Sequence, residues 1–273
     1  MNNQAQPGSG AATGPQLKPP ESFSSLVDVD LYGISHPGLI KTVNEDHFVA
    51  VRGGRTLETV CSNVPDQVAG QCFDETMYGM VVADGLGKDG SGAIASRQAI
   101  DYLLSLALHT PDWILRQGTV ETSKVMWRMS DRFTRVNAEL LQEAAAHASL
   151  DGMSTTMTAA ITFANDLIIA HVGDSRAYLL RQEKLQLLTR DHTLAQRLVD
   201  DGIHPPNDHL IKELRGVLMQ ALGGKETRCR PVVQHLVLED HDTLLLCTDG
   251  LTDMVDEATI QKILNETDST HSG

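Results

Sequence analysis

Met80-Val-Val-Ala-Asp84-Gly85-Leu-Gly87-Lys-Asp-Gly90-Ser-Gly92-Ala-Ile-Ala-Ser96 decides how this chain is read. The apolar run Met80 to Ala83 has the character of a buried strand. It stops at an acid followed by four glycines in eight residues, and an apolar helical pattern from Ile94 to Leu108 comes next. A carboxylate at the end of a buried strand is costly unless it is paired or holds a cation. Glycines beside it let backbone carbonyls and a ligand come close. Taken alone, the stretch is equally a plain Asp-Gly turn. Two further places break that tie. Leu244-Leu-Leu-Cys-Thr-Asp249-Gly250-Leu repeats the order of apolar run, Asp and Gly, and Asn44-Glu45-Asp46 stands just before Phe48-Val-Ala-Val. Three acidic clusters at the ends of apolar strands point to one shared site. Carboxylates and a backbone carbonyl are hard oxygen donors, the set that Mg²⁺ or Mn²⁺ prefers.

Length and composition bound the answer. The 273 residues are 41% hydrophobic, enough for one large domain or two small ones, and the aromatics are so few, at 4%, that the core must be mostly aliphatic. The net charge of -14 and the pI of about 5.1 argue against nucleic acid or an anionic membrane as the main partner. Cys61, Cys72, Cys229 and Cys247 show no CxxC spacing. Cys247 lies in an apolar run and reads as a small core residue. Cys61 and Cys72 read as free thiols in an inserted loop, against the alternatives of a disulfide or a metal site. No run is long and apolar enough to span a membrane, and the N-terminus lacks the pattern of a signal peptide, so a cytoplasmic protein is expected.

Along the chain, residues 1–22 are Gly, Ala, Pro, Gln and Ser with almost no apolar side chains, and a flexible tail is expected. The remainder, 23–273, reads as one domain. Residues 27–34 alternate with period two and predict a first strand, and 47–52 a second. Residues 53–76 are polar and predict a long hairpin connection, a variable surface feature or a partner site. Helices are predicted over 93–108 and 124–146; in the second, Val125, Met129, Phe133, Val136 and Leu140 form one apolar stripe, with Trp127 off it at an edge. From Ser154 the pattern turns to strands at 155–163, 167–172, 177–180 and 185–189. Consecutive hairpins of this kind mean an antiparallel sheet. A helix over 193–201 should close at Gly202, and 204–226 should be irregular. Strands at 232–238 and 243–248 follow, then a short helix over 257–264 capped by Asp256, and nine polar residues.

At this point the chain resembles the metal-dependent Ser/Thr protein phosphatases, the protein phosphatase 2C family, with spacing closest to the bacterial members. The resemblance runs from about Asp28 to Leu264. It is carried by Lys41-Thr-Val-Asn-Glu45-Asp46, Val82-Ala-Asp84-Gly85-Leu-Gly87 with Gly92 and Ala95-Ser96, Asp151-Gly-Met-Ser-Thr-Thr156, Gly173-Asp-Ser-Arg176, Leu188-Thr-Arg-Asp-His192 and Cys247-Thr-Asp249-Gly-Leu-Thr-Asp253. The resemblance implies an α+β fold, a four-layer α-β-β-α sandwich of two stacked antiparallel sheets flanked by helices. It implies a cofactor of two Mg²⁺ or Mn²⁺ ions, with positions for a third. Asp84 would bridge the pair, with the Gly85 carbonyl on one ion and Asp249 on the other. Glu45 and Asp46 would hold the site directly or through water. Asp151 and Asp253 match positions that, with Asp249, hold a third metal, and residues 201–225 match a mobile flap. A water between two divalent ions loses its proton near neutral pH, and the hydroxide can attack phosphorus in line without a covalent intermediate.

Three departures from the family pattern bear on function. Lys41 stands where the family usually has an Arg that grips phosphate. A guanidinium makes two parallel hydrogen bonds, whereas an ammonium is a point charge; the alternative is a solvated loop lysine. Leu86 follows Asp84-Gly85, as in bacterial members, where animal members carry His. Family members also continue into an Asp-Asn pair and a last apolar strand whose Asp is a metal ligand, and nothing in Asn265 to Gly273 matches it. A C-terminally shortened domain is therefore expected. Two functions follow. The first is a phosphoprotein phosphatase acting on phosphoserine and phosphothreonine proteins, which would be partnered by a cognate Ser/Thr kinase in signal transduction. The second is a catalytically weak member that binds a phosphoprotein or kinase as a regulatory module.

Overall fold

The computed structural model describes residues 29–39, 41–57, 73–109, 122–225 and 229–271, with side chains for all of these except 55–57, 73–75 and 267–271. Two antiparallel sheets stack on each other between layers of helix. The larger, seven-stranded sheet is organised on β2 (Phe73–Leu86). This strand pairs over 73–84 with β1 (Asp46–Leu57), over 77–82 with β4 (Met157–Phe163), and at its end with the two-residue β3 (Ser154–Thr155). β5 (Asp166–Val172), β8 (Leu222–Gly223) and β9 (Val232–Val237) complete the order β8-β3-β2-β4-β5-β9. The smaller sheet is β10 (Thr243–Cys247), β6 (Arg176–Arg181) and β7 (Lys184–Leu187).

β5 shows why the stack forms. Its side chains alternate between two apolar surroundings. Leu167 and Ile169 join Ala160 and Ala177 between the sheets, while Ile168, Ala170 and Val172 face the helices with Met157 and Ala159. A strand buried on both faces has no polar positions to alternate with, which is why 167–172 reads as a nearly unbroken apolar run. The helix layer is α1 (Ser91–His109) and α2 (Thr122–Ala146). The predicted stripe of α2 does face the core, with Met129, Phe133, Val136 and Leu140 buried. On the far side of the small sheet lies α6 (Glu257–His271), with α3 (Leu194–Asp200), α4 (His209–Glu213) and α5 (Asp249–Thr252) preceding it. α6 is fastened to the hairpin of β6 and β7. The Tyr178 hydroxyl donates to Glu257 Oε1, the Leu185 N–H donates to Gln261, and Asn265 donates to the Glu183 carbonyl. The four-layer α-β-β-α order is the one expected.

Several expectations need correction. Residues 29–39 form no strand: Tyr32 is 89% and Ile34 77% exposed, and Gly33 lies against the ring of Phe48. Alternation predicts a strand only where a neighbour supplies the ladder, and none pairs with this segment among the described residues. The connection expected over 53–76 is shorter, because the ladder of β1 and β2 continues out to Leu57 opposite Phe73. Trp127 is exposed rather than packed at an edge. The region 204–226 contains α4, capped by the Asp208 side chain on the Leu210 N–H, and β8. The last helix runs past Leu264 to His271, aided by the Lys262–Glu266 pair at i,i+4. Asp256 caps it as predicted, accepting from the Thr259 N–H at 2.8 Å. The tail 1–22 and the cysteines Cys61 and Cys72 lie outside the described residues.

Candidate active site

The site is built where β1 and β2 end together. Their register puts Asp46 directly opposite Asp84. Two carboxylates as cross-strand neighbours repel each other, and a third, Asp249, comes in from the small sheet at the end of β10. Asp84 therefore titrates abnormally. Burial comes first, then the negative charges of Asp46 and Asp249, and together they push its carboxyl up to about 9. Asp249 is pushed up as well, by burial and then by Asp253, while a hydrogen bond from Asp84 works against the rise. Asp46 accepts from the Thr248 hydroxyl at 2.7 Å, a bond that spans the two sheets.

Asp84 is held rigidly by its main chain. Its N–H donates to Thr156 Oγ1 at 3.1 Å, and its carbonyl accepts from the Thr156 N–H at 2.9 Å and from Thr155 Oγ1 at 2.8 Å. Sequence reasoning expected Asp84-Gly85 to leave the strand. Instead both residues stay in β2, and Gly85 pairs with Thr155. Gly85 is required here by space: a Cβ on it would stand 2.0 Å from the Gly92 carbonyl oxygen. The first turn of α1 consequently lies on the end of β2. Gly92 in turn clears the Glu45 carboxylate, which a Cβ there would meet at 2.7 Å. Lys41 is 62% exposed on the same loop and reaches Glu45 Oε2 at 3.5 Å. It is also close enough to Asp249 for its charge to favour the ionised carboxylate.

Asp253 lies one helical turn after Asp249, in a cleft that both share with Asp174, Arg176, Arg215 and Gly216. Asp151 is exposed on the turn before β3. The structure thus brings Asp46, Asp84, Asp249 and Asp253 together, with Glu45 and Lys41 beside them.

Asp174 was missed by the sequence reading. It is buried, and burial, then Asp249, then Asp191 push it up to about 7. The signal was present: Val172-Gly173-Asp174 is again an apolar run ending at Gly and Asp, with their order reversed. The turn that carries it is clamped from several sides. Gly173 adopts φ 108°, and a Cβ on it would strike Thr156. The His192 N–H donates to the Gly173 carbonyl at 2.7 Å, and the Gly173 N–H donates to His192 Nδ1 at 3.2 Å. Arg176 grips Asp191 with two hydrogen bonds, Nε at 2.9 Å and Nη2 at 2.6 Å. His171, fully buried, stacks 4.9 Å from His192 and lies between Thr158 Oγ1 and the Arg190 carbonyl. Burial, then His192, pushes its imidazole down to about 4. The motifs Gly173–Arg176 and Leu188–His192 are therefore the frame behind the acids.

The donor set suits a hard divalent cation. Three of the crowded aspartates, Asp84, Asp174 and Asp249, have raised proton affinity, the electrostatic sign of a site that stabilises positive charge. Among the described residues, no three His, Cys, Asp or Glu side chains already converge as a closed ligand group. No helix of the described residues is long and apolar enough to cross a membrane.

Comparison with known proteins agrees with this geometry. The family described as Protein phosphatase 2C matches residues 62–272. The serine/threonine phosphatase stp of Listeria innocua is 37% identical over 185 residues, 68% of this chain and 71% of the relative. The serine/threonine protein phosphatase PstP of Mycobacterium tuberculosis is 32% identical over 185 residues, which are 34% of its length. Among solved structures, the S. agalactiae serine/threonine phosphatase superposes with a TM-score of 0.64 at 26% identity, covering 83% of this chain and 82% of that one. The PstP catalytic domain in complex with two manganese ions gives 0.56 at 28% identity, covering 79% and 84%.

Proposed function

The chain belongs to the protein phosphatase 2C family and is a protein-serine/threonine phosphatase, and we propose that it hydrolyses phosphoserine and phosphothreonine proteins at the cluster of Asp46, Asp84 and Asp249, using Mg²⁺ or Mn²⁺. The observation that carries this reading is Asp84, a rigid, buried carboxyl whose proton affinity is raised by two neighbouring carboxylates. Divalent ions, when bound, lower the pKa of water and neutralise phosphoryl oxygens. The residues supply the rest. Asp84 and the Gly85 carbonyl hold the cations from the large sheet, and Asp249 from the small sheet, with Glu45 and Asp46 orienting the rim. Lys41 contacts the substrate phosphate as a point charge. Asp253 and Asp249 would hold a further ion, with Asp151 assigned to it on the family resemblance alone. Arg215 and Gly216 form the flap wall along which the peptide lies. The substrates are the products of a Ser/Thr kinase.

Release of inorganic phosphate from a phosphothreonine peptide, measured with and without Mn²⁺, tests this directly. Mn²⁺-dependent turnover that Asp84→Asn abolishes is the expected result. Tight binding of the phosphopeptide without turnover would replace the enzyme by a regulatory binding module.

A further inference from the structure

Ser96 is completely buried on α1, yet its hydroxyl is shared among unusually many partners. It lies 2.5 Å from the Glu45 carbonyl, 3.2 Å from that of Gly92, 3.4 Å from that of Ala93, and 2.9 Å from His47 Nδ1. A hydroxyl has one proton. A helical serine ordinarily gives it to the carbonyl one turn back, here Gly92, but the Glu45 carbonyl is much the closer. We propose that His47 and Ser96 form a two-step relay that positions the acidic rim of the site, a role that rests on the reading of Glu45 and Asp46 as cation-holding residues. His47 donates from Nδ1–H to Ser96 Oγ, which fixes the hydroxyl rotor, and Ser96 donates its proton to the Glu45 carbonyl.

The Glu45 carbonyl also accepts from the Gly85 N–H at 3.1 Å. Its two lone pairs are thus both used, one by the end of β2 and one by α1. The peptide between Glu45 and Asp46 cannot turn without breaking a buried hydrogen bond. That sets where the Glu45 carboxylate lies over Gly92 and where Asp46 enters β1 opposite Asp84. Ser96 and His47 touch none of the reacting atoms. They are positioning residues, and their substitution should alter cation binding before anything else.

The test compares Ser96→Ala, His47→Leu, His47→Asn and Glu45→Gln with the parent chain. Calorimetric titration of metal-free protein with Mn²⁺ gives affinity, thermal unfolding without metal gives stability, and kcat and KM are taken on a phosphothreonine peptide. Ser96→Ala and His47→Leu should weaken Mn²⁺ about fivefold, the size of one net hydrogen bond. They should lower kcat at limiting Mn²⁺ with KM for the peptide nearly unchanged. His47→Asn keeps an N–H close to the Nδ1 position and should stay within about twofold of the parent. Parent-like Mn²⁺ affinity in Ser96→Ala, or His47→Asn as impaired as His47→Leu, would overturn the relay. If Ser96→Ala does not fold, the two His47 variants decide alone. Glu45→Gln separates the two levels. If it weakens Mn²⁺ while Ser96→Ala and His47→Leu do not, the relay fails and the site assignment stands. If Glu45→Gln itself changes nothing, the assignment of Glu45 fails and the relay falls with it.

Discussion

Asp84 and Asp249 follow the same sequence pattern, an apolar run closed by Asp-Gly, and the fold treats them differently. Asp84 stays inside a strand of the seven-stranded sheet, with its N–H and carbonyl both bonded to the Thr155-Thr156 segment and Gly85 continuing the ladder. Asp249 opens a four-residue helix at the end of the three-stranded sheet, and the Thr248 side chain makes no cap bond to it because its hydroxyl goes to Asp46. One carboxylate is part of a sheet interior; the other sits on a short turn of helix with Asp253 repelling it from behind. A metal site assembled from both has a fixed half and an adjustable half.

The largest effect should come from the fixed half. Asp84→Asn removes the charge common to every pairing in the cluster and should reduce kcat/KM on a phosphothreonine peptide by roughly a thousandfold. The metal-free variant should unfold at no lower temperature than the parent, because a carboxyl pushed up to about 9 is already uncharged near neutral pH and the amide replaces it at similar size. A variant that keeps near-full Mn²⁺-dependent turnover would show that the cluster is not where the chemistry occurs. Asp249→Asn should cost about a hundredfold at fixed Mn²⁺, with part of the loss recovered by raising the Mn²⁺ concentration. Losses of equal size, neither relieved by more Mn²⁺, would remove the distinction between the two halves.

Smaller effects probe the frame and the rim. His171 binds its proton near pH 4 in the folded protein and near 6.5 in the unfolded chain. Between those values the unfolded state holds more protons, so stability rises with pH and is lost as pH falls from about 6.5 towards 4. His171 therefore lowers the melting temperature of the metal-free protein as pH falls from 7 to 5, against Asp84 and Asp174, whose raised carboxyls hold more protons in the folded state and stabilise it over the same range. His171→Gln should remove that contribution, so that its melting temperature at pH 5 relative to pH 7 lies several degrees higher than the parent's, even if the whole curve is lowered; an unchanged difference between pH 5 and pH 7 would mean that His171 is not the buried neutral group. The smallest change is expected at Lys41. Lys41→Arg adds a second hydrogen bond to phosphate and should lower KM roughly threefold, while Lys41→Ala should raise it. Unchanged kinetics in both would leave Lys41 a solvated partner of Glu45.

The layers of the fold were legible because burial leaves periodicity behind. The stripe from Met129 to Leu140 and the run Leu167 to Val172 each announce which surfaces are covered. The segment 29–34 alternates equally well and forms no strand among the described residues, because alternation records a possible ladder and not the presence of a partner. At the site, the acids at strand ends were readable as residue types whose burial demands a partner. What holds them was not. Nothing local in Thr155, Thr156, Thr248 or Ser96 says that their hydroxyls reach backbone or carboxylate atoms far away in the chain, for instance 202 residues between Thr248 and Asp46. Asp174 was overlooked because Gly173-Asp174-Ser175 reads as a turn, and only the packing of β5 against the small sheet buries it.

Calorimetric titration of the metal-free protein with Mn²⁺ tests the central claim most directly. A site with a fixed half around Asp84 and an adjustable half around Asp249 should show two binding events of unequal affinity. The weaker should coincide with the Mn²⁺ concentration that half-activates phosphate release, and Asp249→Asn should shift that event while leaving the tighter one in place. Two equal, tight sites, or no binding at all, would contradict it.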